Sequence, residues 1–509
     1  MQTATSQQGT FPSKVEQLTE RLARVSWIWH TGFFLAFFPL TLYLSSRYPL
    51  WYDEIYTVLI SRLPTVPDIW SALAAGADLH PPTTFLATRI AEAVFGSKEW
   101  ALRLPSTLGV LVLGLCVITF LGRRMNPLWG FIGAMFTVLT AIFPHAFEAR
   151  PYGMYLGLVG VALVSWQSIA LGRHRTTALL ALFASLALSL CCHYYGVLLF
   201  FPIALGEVVR NWVNRRIDWP VWASILLALP AILPFLPLLR HSLSAVANEK
   251  TTQVQLSVLW TSYRLLGSAQ VTLAMVALLV IALVWHYVPR SARRLALPPH
   301  EAAAILGLFV LPLPAMAVAL TVTHNLTWRY VLPLDIGAAI LFVIAAYRLT
   351  NGSTTAALIL AAVLTGIFGT HTMSRARSES LEGAGQVMTD PHYPDLPIVI
   401  GSGLGFVPAW YYAAPDLRNR LLFIADAGRA LRYRNNDQSN MSIPYEARFF
   451  HWPVQTFDQF RQAHRRFLLN WHDEDSWLLY AYRDLGAQVE ILRKAGGDDY
   501  LLLVTDPAQ

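Results

Sequence analysis

The chain is a succession of apolar runs of bilayer-spanning length, and the connections between them alternate in charge. The runs lie near 27–46, 101–121, 127–143, 153–171, 177–191, 194–209, 219–239, 270–288, 301–321, 330–347 and 354–371. A hydrocarbon core needs about 20 apolar residues per helix, and a backbone crossing it must satisfy its own hydrogen bonds. Runs this long therefore predict a polytopic α-helical membrane protein with about eleven transmembrane helices. The charge content agrees: 14% of residues are charged, against about 25% in a soluble domain, and the mean hydropathy is +0.44.

Positive charge marks the cytoplasmic ends of spans. With the N-terminus inside, every second connection is basic: Arg123-Arg124, Arg173-His174-Arg175, Arg210 with Arg215-Arg216, Arg290 with Arg293-Arg294, and Arg348. This register makes residues 1–24 a cytoplasmic tail and places the end of the chain outside. The basic clusters are explained by topology, so nucleic acid is not an expected partner and the lipid bilayer is. The inner connections read as arginines and little else. The three cysteines, Cys116, Cys191 and Cys192, give neither a disulfide framework nor zinc spacing.

The first outer loop, about 47–100, is long. Its segments 54–62, 66–76 and 82–95 read as amphipathic helices lying on the membrane surface. After 372 the composition changes. Residues 373–395 read as a linker, and 396–509 as a small α/β domain outside the membrane. Within it, 396–402, 420–426, SWLLYAY, QVEILRK and DYLLLVT read as strands, and 403–415 and 457–471 as helices. GSGLG at 401–405 lacks the third spaced glycine of a dinucleotide fingerprint, so nucleotide binding is not expected there.

The register collects the chemistry on one face. Asp53, Glu54, Asp78, His80, Arg103, His145, Glu148, Arg150, His193, His241, His324 and Arg329 all fall at or near the outer ends of spans. Ionisable groups in such places suggest function. In LWYDEIYT, the pair Asp53 and Glu54 stands among aromatic and apolar residues, where a partly desolvated carboxylate can act as a general base on a hydroxyl. In DLHPP, two prolines stiffen the chain beside His80. In FEARPYG, the Arg150 guanidinium suits a phosphate oxygen; an internal Glu148–Arg150 pair is the structural alternative. In CCHYYG, His193, Tyr194 and Tyr195 suit a sugar or pyrophosphate, or form an interfacial aromatic belt. In HNLTWRYVLP, Arg329 and Tyr330 supply a second cation or a headgroup anchor.

YDE, HPP, ALRLPS (101–106), FEARPYG, HYYG and WRYVLP, in this order, resemble the membrane-embedded GT-C glycosyltransferases. The resemblance is to the family-39-like branch that holds protein O-mannosyltransferases and the aminoarabinose transferases of lipid A. It covers roughly 25–370, which makes 25–372 the expected catalytic module. It implies a polyprenyl-phosphate-linked sugar donor and a hydroxyl acceptor in the cell envelope, on a lipid, glycan or protein. Asp53 matches the family's base, with Glu54 beside it in the catalytic pair, and the reaction should invert configuration. Arg150 and Arg329 would stabilise charge on the departing phosphate. Glu54, His80, Glu148 and His193 would orient the substrates, and Arg103, Tyr152, Tyr194 and Tyr330 complete the expected binding set. Two departures bear on substrate. Aminoarabinose transferases carry an acid and a lysine before the two prolines, where this chain has Leu79 and His80. Protein mannosyltransferases follow HPP with glycine and lysine, where this chain has Thr83 and Thr84.

A base and charge neutralisation suffice for this chemistry. No cofactor is expected, and a divalent metal is compatible but not required. The expected place is the bacterial inner membrane, with the active site on the periplasmic face. The competing readings are a glycan ligase or polymerase of another fold, and a lipid or sugar transporter. The long outer loop comes early rather than late, which disfavours the first. No internal repeat is evident, which disfavours the second.

Overall fold

The computed structural model describes residues 14–248, 255–286, 295–378, 381, 385–472, 476–495 and 499–507. The chain forms two compact units, one of residues 1–46 and 80–378, the other of residues 47–79 and 379–509.

The first unit is helical. Among the described residues, eight helices are long and apolar enough to cross a membrane, or nine if the bent pair Pro299–Phe309 and Pro312–Thr323 is one span. Every apolar run holds a helix. Two of them are shorter than the sequence suggests: Pro127–Thr137 has 11 residues and Pro333–Leu349 has 17. Both carry proline at the start, and 127–143 is cut by a turn after Thr137. The basic connection at Arg290, Arg293 and Arg294, and residues 1–13 of the expected tail, lie outside the described residues.

The arginine-rich ends contain more than arginine, which corrects the sequence reading. Arg124 makes a two-pronged bond to Glu301, at 2.8 and 2.6 Å, and Glu301 has no exposure. Arg210 grips Glu207 in the same way, at 2.8 and 2.7 Å, and also reaches Asp218. Trp166 donates its indole N–H to Glu207, and Arg175 bonds Asp218. A carboxylate buried among apolar helices must be paired, and fork-shaped guanidiniums pair it best. These contacts join helix ends in two groups: Glu99–Gly122 with Pro299–Phe309, and Pro151–Ala170, Arg175–Cys192, Phe200–Asn214 and Trp219–Ala228 with one another.

Helix Glu99–Gly122 runs from this charged end to the other, about 36 Å at 1.5 Å per residue. It packs closely on helix Pro151–Ala170, and glycine makes the approach feasible. A Cβ on Gly109 would lie inside the backbone carbonyl of Gly153, and one on Gly157 would press on Gly109. Gly153 itself faces the carbonyls of Ser106 and His145. This crossing fixes the loop from 143 to 151 against the start of helix Glu99–Gly122.

The second unit holds a six-stranded sheet with strand order β3-β2-β1-β4-β6-β5. The strands are β1 (Ile398–Ile400), β2 (Leu421–Ala425), β3 (Val454–Thr456), β4 (Arg466–His472), β5 (Gln488–Lys494) and β6 (Asp499–Thr505). β1 pairs in parallel with both β2 and β4, with Ile398 opposite Leu421 and Leu468. β6 runs antiparallel to β4 and β5. The edge strand β5 carries Glu490, Arg493 and Lys494 and is broken by a register shift, features that discourage further pairing.

Two expected elements differ. The expected helix 457–471 ends at Ala463, and RFLLNWH is strand β4. SWLLYAY is the helix Leu478–Asp484 rather than a strand. β4 is central in the sheet, so its apolar residues run together instead of alternating, and short apolar runs cannot be told apart by periodicity alone. The expected linker begins late, because helix Thr354–Ser378 continues through its first residues. Helices Tyr52–Ser61 and Val66–Ala74 exist as expected, but they pack with the α/β domain, while Thr83–Phe95 packs with the helical unit.

Gly109→Ala should force the two helices apart, at a cost of about 2 kcal/mol from overpacking against backbone. A lowered midpoint of thermal unfolding in detergent checks this.

Candidate functional site

In the helical unit, most of the singled-out residues meet at one set of helix ends. Arg150 is the N-cap of helix Pro151–Ala170 and is buried. Its backbone carbonyl accepts from Ser106 Oγ at 2.7 Å, and Thr107 Oγ1 bonds the carbonyl of Ala146 at 2.7 Å. The loop that carries Glu148 and Arg150 is thus tied to helix Glu99–Gly122 by hydroxyls that follow Arg103 in sequence. Arg103 itself donates to the carbonyl of Ser45 at 2.8 Å, at the end of the first long helix.

Arg150 Nη2 lies 3.1 Å from His80 Nδ1. A guanidinium can only donate, so Nδ1 accepts and the imidazole proton sits on Nε2. His193 Nδ1 accepts the backbone N–H of Tyr195 at 3.0 Å, which places its proton on Nε2 as well. The rings of His80 and His193 are 5.0 Å apart, and Tyr152 lies 6.1 and 5.4 Å from them. Tyr330 is 5.0 Å from His193 and stacks on Tyr195 at 4.4 Å. Thr83 Oγ1 bonds the carbonyl of Cys191 at 2.6 Å, joining the HPP segment to the CCHYYG turn. The two threonines that depart from the mannosyltransferase pattern therefore include one that sets the spacing of His80 and His193.

Glu148 is bound by His145 Nδ1 at 2.6 Å. Burial pushes the Glu148 carboxyl up, but His145, then Arg329 and Arg150, together hold it below the usual glutamate value. Glu148 pairs with His145, a partner the sequence reading did not name, and the Arg150 charge bears on the same carboxylate. His145 was noted only for its place at the outer face, yet it is central. It is 2% exposed, its ring is 4.8 Å from Tyr152 and 5.7 Å from Trp328, and its Nε2 has no hydrogen-bond partner among the described residues. Its signal in the sequence was the i,i+3 spacing to Glu148 within one turn. Tyr194 is half-buried beside His193. Arg329 stacks over Trp328 at 5.8 Å.

A cavity of about 240 Å³ adjoins this cluster, with Trp328 as a shared wall. Val138, Leu139, Phe143 and Leu265 make it largely apolar, and Gln270, His371 and Arg375 supply polar groups. Gln270 Nε2 and His371 Nδ1 are 2.9 Å apart. An amphiphile with an anionic head matches such walls.

Asp53 and Glu54 belong to the other unit, in the first turn of helix Tyr52–Ser61. They are not equivalent. Glu54 is buried, and its Oε2 accepts the backbone N–H of Trp51 at 3.2 Å, so it closes the start of its own helix. Asp53 is half-buried, and its carbonyl accepts from Thr57 Oγ1. Among the described residues, no three His, Cys, Asp or Glu side chains converge as a metal-binding group.

Residues 79–238 match the family model described as dolichyl-phosphate-mannose-protein mannosyltransferase. That segment carries His80, Arg103, Glu148, Arg150, Tyr152, His193 and Tyr194. It supports the GT-C type of membrane glycosyltransferase to which the motifs point. No curated protein matches the chain. Among solved structures, the chain is similar to ArnT from Cupriavidus metallidurans in the apo state, at 16% identity and a TM-score of 0.47, over 94% of this chain and 97% of that one. It is similar to the same protein bound to undecaprenyl phosphate, at 16% identity and a TM-score of 0.48, over 94% and 98%. It is also similar to the Archaeoglobus fulgidus oligosaccharyltransferase complexed with Zn and sulfate, at 10% identity and a TM-score of 0.39, over 86% and 67%.

A carboxyl held below its unfolded value contributes stability above the ordinary glutamate pKa of about 4.3. That contribution is lost as pH falls through the folded value. Thermal unfolding should show the midpoint falling on acidification below that range, and Glu148→Gln should flatten that part of the curve.

Proposed function

We propose that this protein is an inverting glycosyltransferase that moves a sugar from a polyprenyl-phosphate donor to a hydroxyl acceptor at the periplasmic face of a bacterial inner membrane. The observation that carries the reading is the Arg150–His80–His193–Tyr152 cluster, which lies inside the segment that matches the dolichyl-phosphate-mannose-protein mannosyltransferase model, with Arg150 and, from beyond that segment, Arg329 both acting on Glu148.

The chemistry follows from the groups present. The donor's anomeric carbon is bonded to a phosphate oxygen. An acceptor hydroxyl attacks that carbon and gives its proton to the Asp53 carboxylate. The bond to the phosphate breaks on the opposite side, and the polyprenyl phosphate departs as an anion. Arg150 and Arg329 are fixed before the reaction begins, so they stabilise that charge without reorganising. His80 and His193 offer Nε2–H donors to sugar hydroxyls, and the tyrosine rings give the sugar a flat apolar wall. The cavity beside Trp328 suits the first isoprene units and their head. Glu54 acts through the helix that carries Asp53, by capping it.

In membranes supplied with a panel of radiolabelled polyprenyl-phosphate sugars, Asp53→Asn should abolish transfer while donor binding is retained. Near-normal turnover of that variant overturns the base assignment. Arg150→Ala should weaken donor binding and slow transfer together, by about a hundredfold in kcat/KM for loss of one preorganised charge. A change in thermal stability alone would make Arg150 a structural residue.

A further inference from the structure

The helix that carries Asp53 is built into the α/β domain. Ahead of it, the backbone N–H of Leu50 donates to Tyr412 Oη at 2.7 Å. Beyond it, the Arg62 guanidinium lies over the Tyr411 ring at 5.6 Å. Between these, Tyr56 Oη donates to the Glu446 carboxyl, and Tyr52 Oη lies 3.2 Å from Tyr56 Oη. The Tyr56 ring meets Phe450 and Trp452 edge-on, at 6.0 and 5.6 Å. Glu446 is 6% exposed and shares a helix face with Ile443 and Phe450, both buried. An apolar residue would fill such a position without needing a partner. A carboxyl there is costly unless it is used.

We propose that Glu446 is a positioning residue of the transfer reaction: through Tyr56 and Tyr52 it fixes the rotation of helix Tyr52–Ser61, and with it the direction of the Asp53 carboxyl. Tyr52 and Tyr56 are one turn apart on the anchored face. Asp53 follows Tyr52 and so points about 100° around the helix, off that face. This rests on the reading of Asp53 as the base. It makes the α/β domain a working part of the enzyme.

The protonation of Glu446 gives the anchor a signature. Burial pushes its carboxyl up to about 8, with the Tyr56 hydroxyl drawing it down and Asp78 pushing it up. Tyr52 is pushed up to about 12, chiefly by burial and then by Glu446. Of the elements packed on the Glu446 helix, helix Gly403–Tyr412 brings Tyr411 and Tyr412, and β2 and β3 bring no charge. Helix Ala427–Arg434 brings Arg429, Arg432 and Arg434. Their contacts include Asp426 and Asp458, Asp484, and Tyr480. On its own helix, Arg448 lies over Tyr445. A carboxyl raised in the folded state is neutral and stabilising at low pH, and its contribution is lost as pH rises through the folded value. Ionisation above about pH 8 puts a charge on this buried carboxyl at a desolvation cost that the Tyr56 hydrogen bond only partly offsets, so the anchor should hold near neutrality and loosen above that pH.

The test uses the full chain in lipid nanodiscs, with two readouts. One is hydrogen–deuterium exchange of residues 50–61 at fixed pH. The other is steady-state transfer from an undecaprenyl-phosphate-linked sugar across pH. Glu446→Ala should speed exchange in 50–61. It should lower kcat by about a hundredfold with donor KM nearly unchanged, as expected for a misdirected reacting group. Glu446→Gln keeps an acceptor for Tyr56 and cannot ionise, so it should retain kcat near neutrality and remove the alkaline fall. Tyr56→Phe reaches the same contact from the other side and should match Glu446→Ala, which covers the case where that variant does not fold. Wild-type exchange and kcat in Glu446→Ala and Tyr56→Phe, or an unchanged alkaline fall in Glu446→Gln, would overturn the proposal. An active Asp53→Asn would instead remove the base reading, while the exchange data would still judge the anchor.

Discussion

A buried ion must be neutralised, hydrogen-bonded or put to use, and this chain is organised around where it does each. At the arginine-rich helix ends, Arg124 and Arg210 are neutralised by Glu301 and Glu207, with two bonds apiece. At the opposite ends, Arg150 donates to a histidine nitrogen, and its charge also bears on the Glu148 carboxylate. A neutral acceptor satisfies a donor without cancelling its charge, and that charge acts on Glu148. The same helices thus present one end closed by two-pronged arginine–glutamate pairs and another where arginine, histidine and glutamate meet.

Much of this arrangement could be read from the sequence because it rests on local pattern. The apolar runs gave every long helix its place, and Arg150, His80, His193, Tyr152 and Tyr330 were singled out from short motifs and do converge. What sequence could not reveal was the supporting layer. Ser106 and Thr107 looked like ordinary residues of an apolar helix, yet they hold the carbonyls of Arg150 and Ala146. Thr83 read as a departure from a family pattern, whereas its hydroxyl joins two motifs 108 residues apart. A hydroxyl's partner is decided by tertiary packing, and no periodicity encodes it.

The misread elements of the α/β domain have the same origin. RFLLNWH forms a strand because it lies between β1 and β6, where both faces are buried and alternation disappears. SWLLYAY forms a helix because Trp477, Leu478, Leu479, Ala481 and Tyr482 close over the sheet as one cluster. The placement of 47–79 was harder still. Nothing near Leu50 or Tyr56 names Tyr412 or Glu446, which lie 362 and 390 residues further on. Residues 47–79, read as part of a first outer loop, belong to the compact unit formed with the end of the chain.

That placement changes what the acid pair means. Side by side in sequence, Asp53 and Glu54 look like a dyad, but neighbours on a helix point about 100° apart. Glu54 turns inward, and its carboxylate accepts the N–H of Trp51. Asp53 is left at the same helix start without that duty. The buried Glu446, Tyr56 and Tyr52 hold the helix that carries it. One acid stabilises the helix and the other is displayed by it. A substitution at Glu54 should therefore act through the integrity of the first turn. The pair is two adjacent carboxylates that the fold has given separate work.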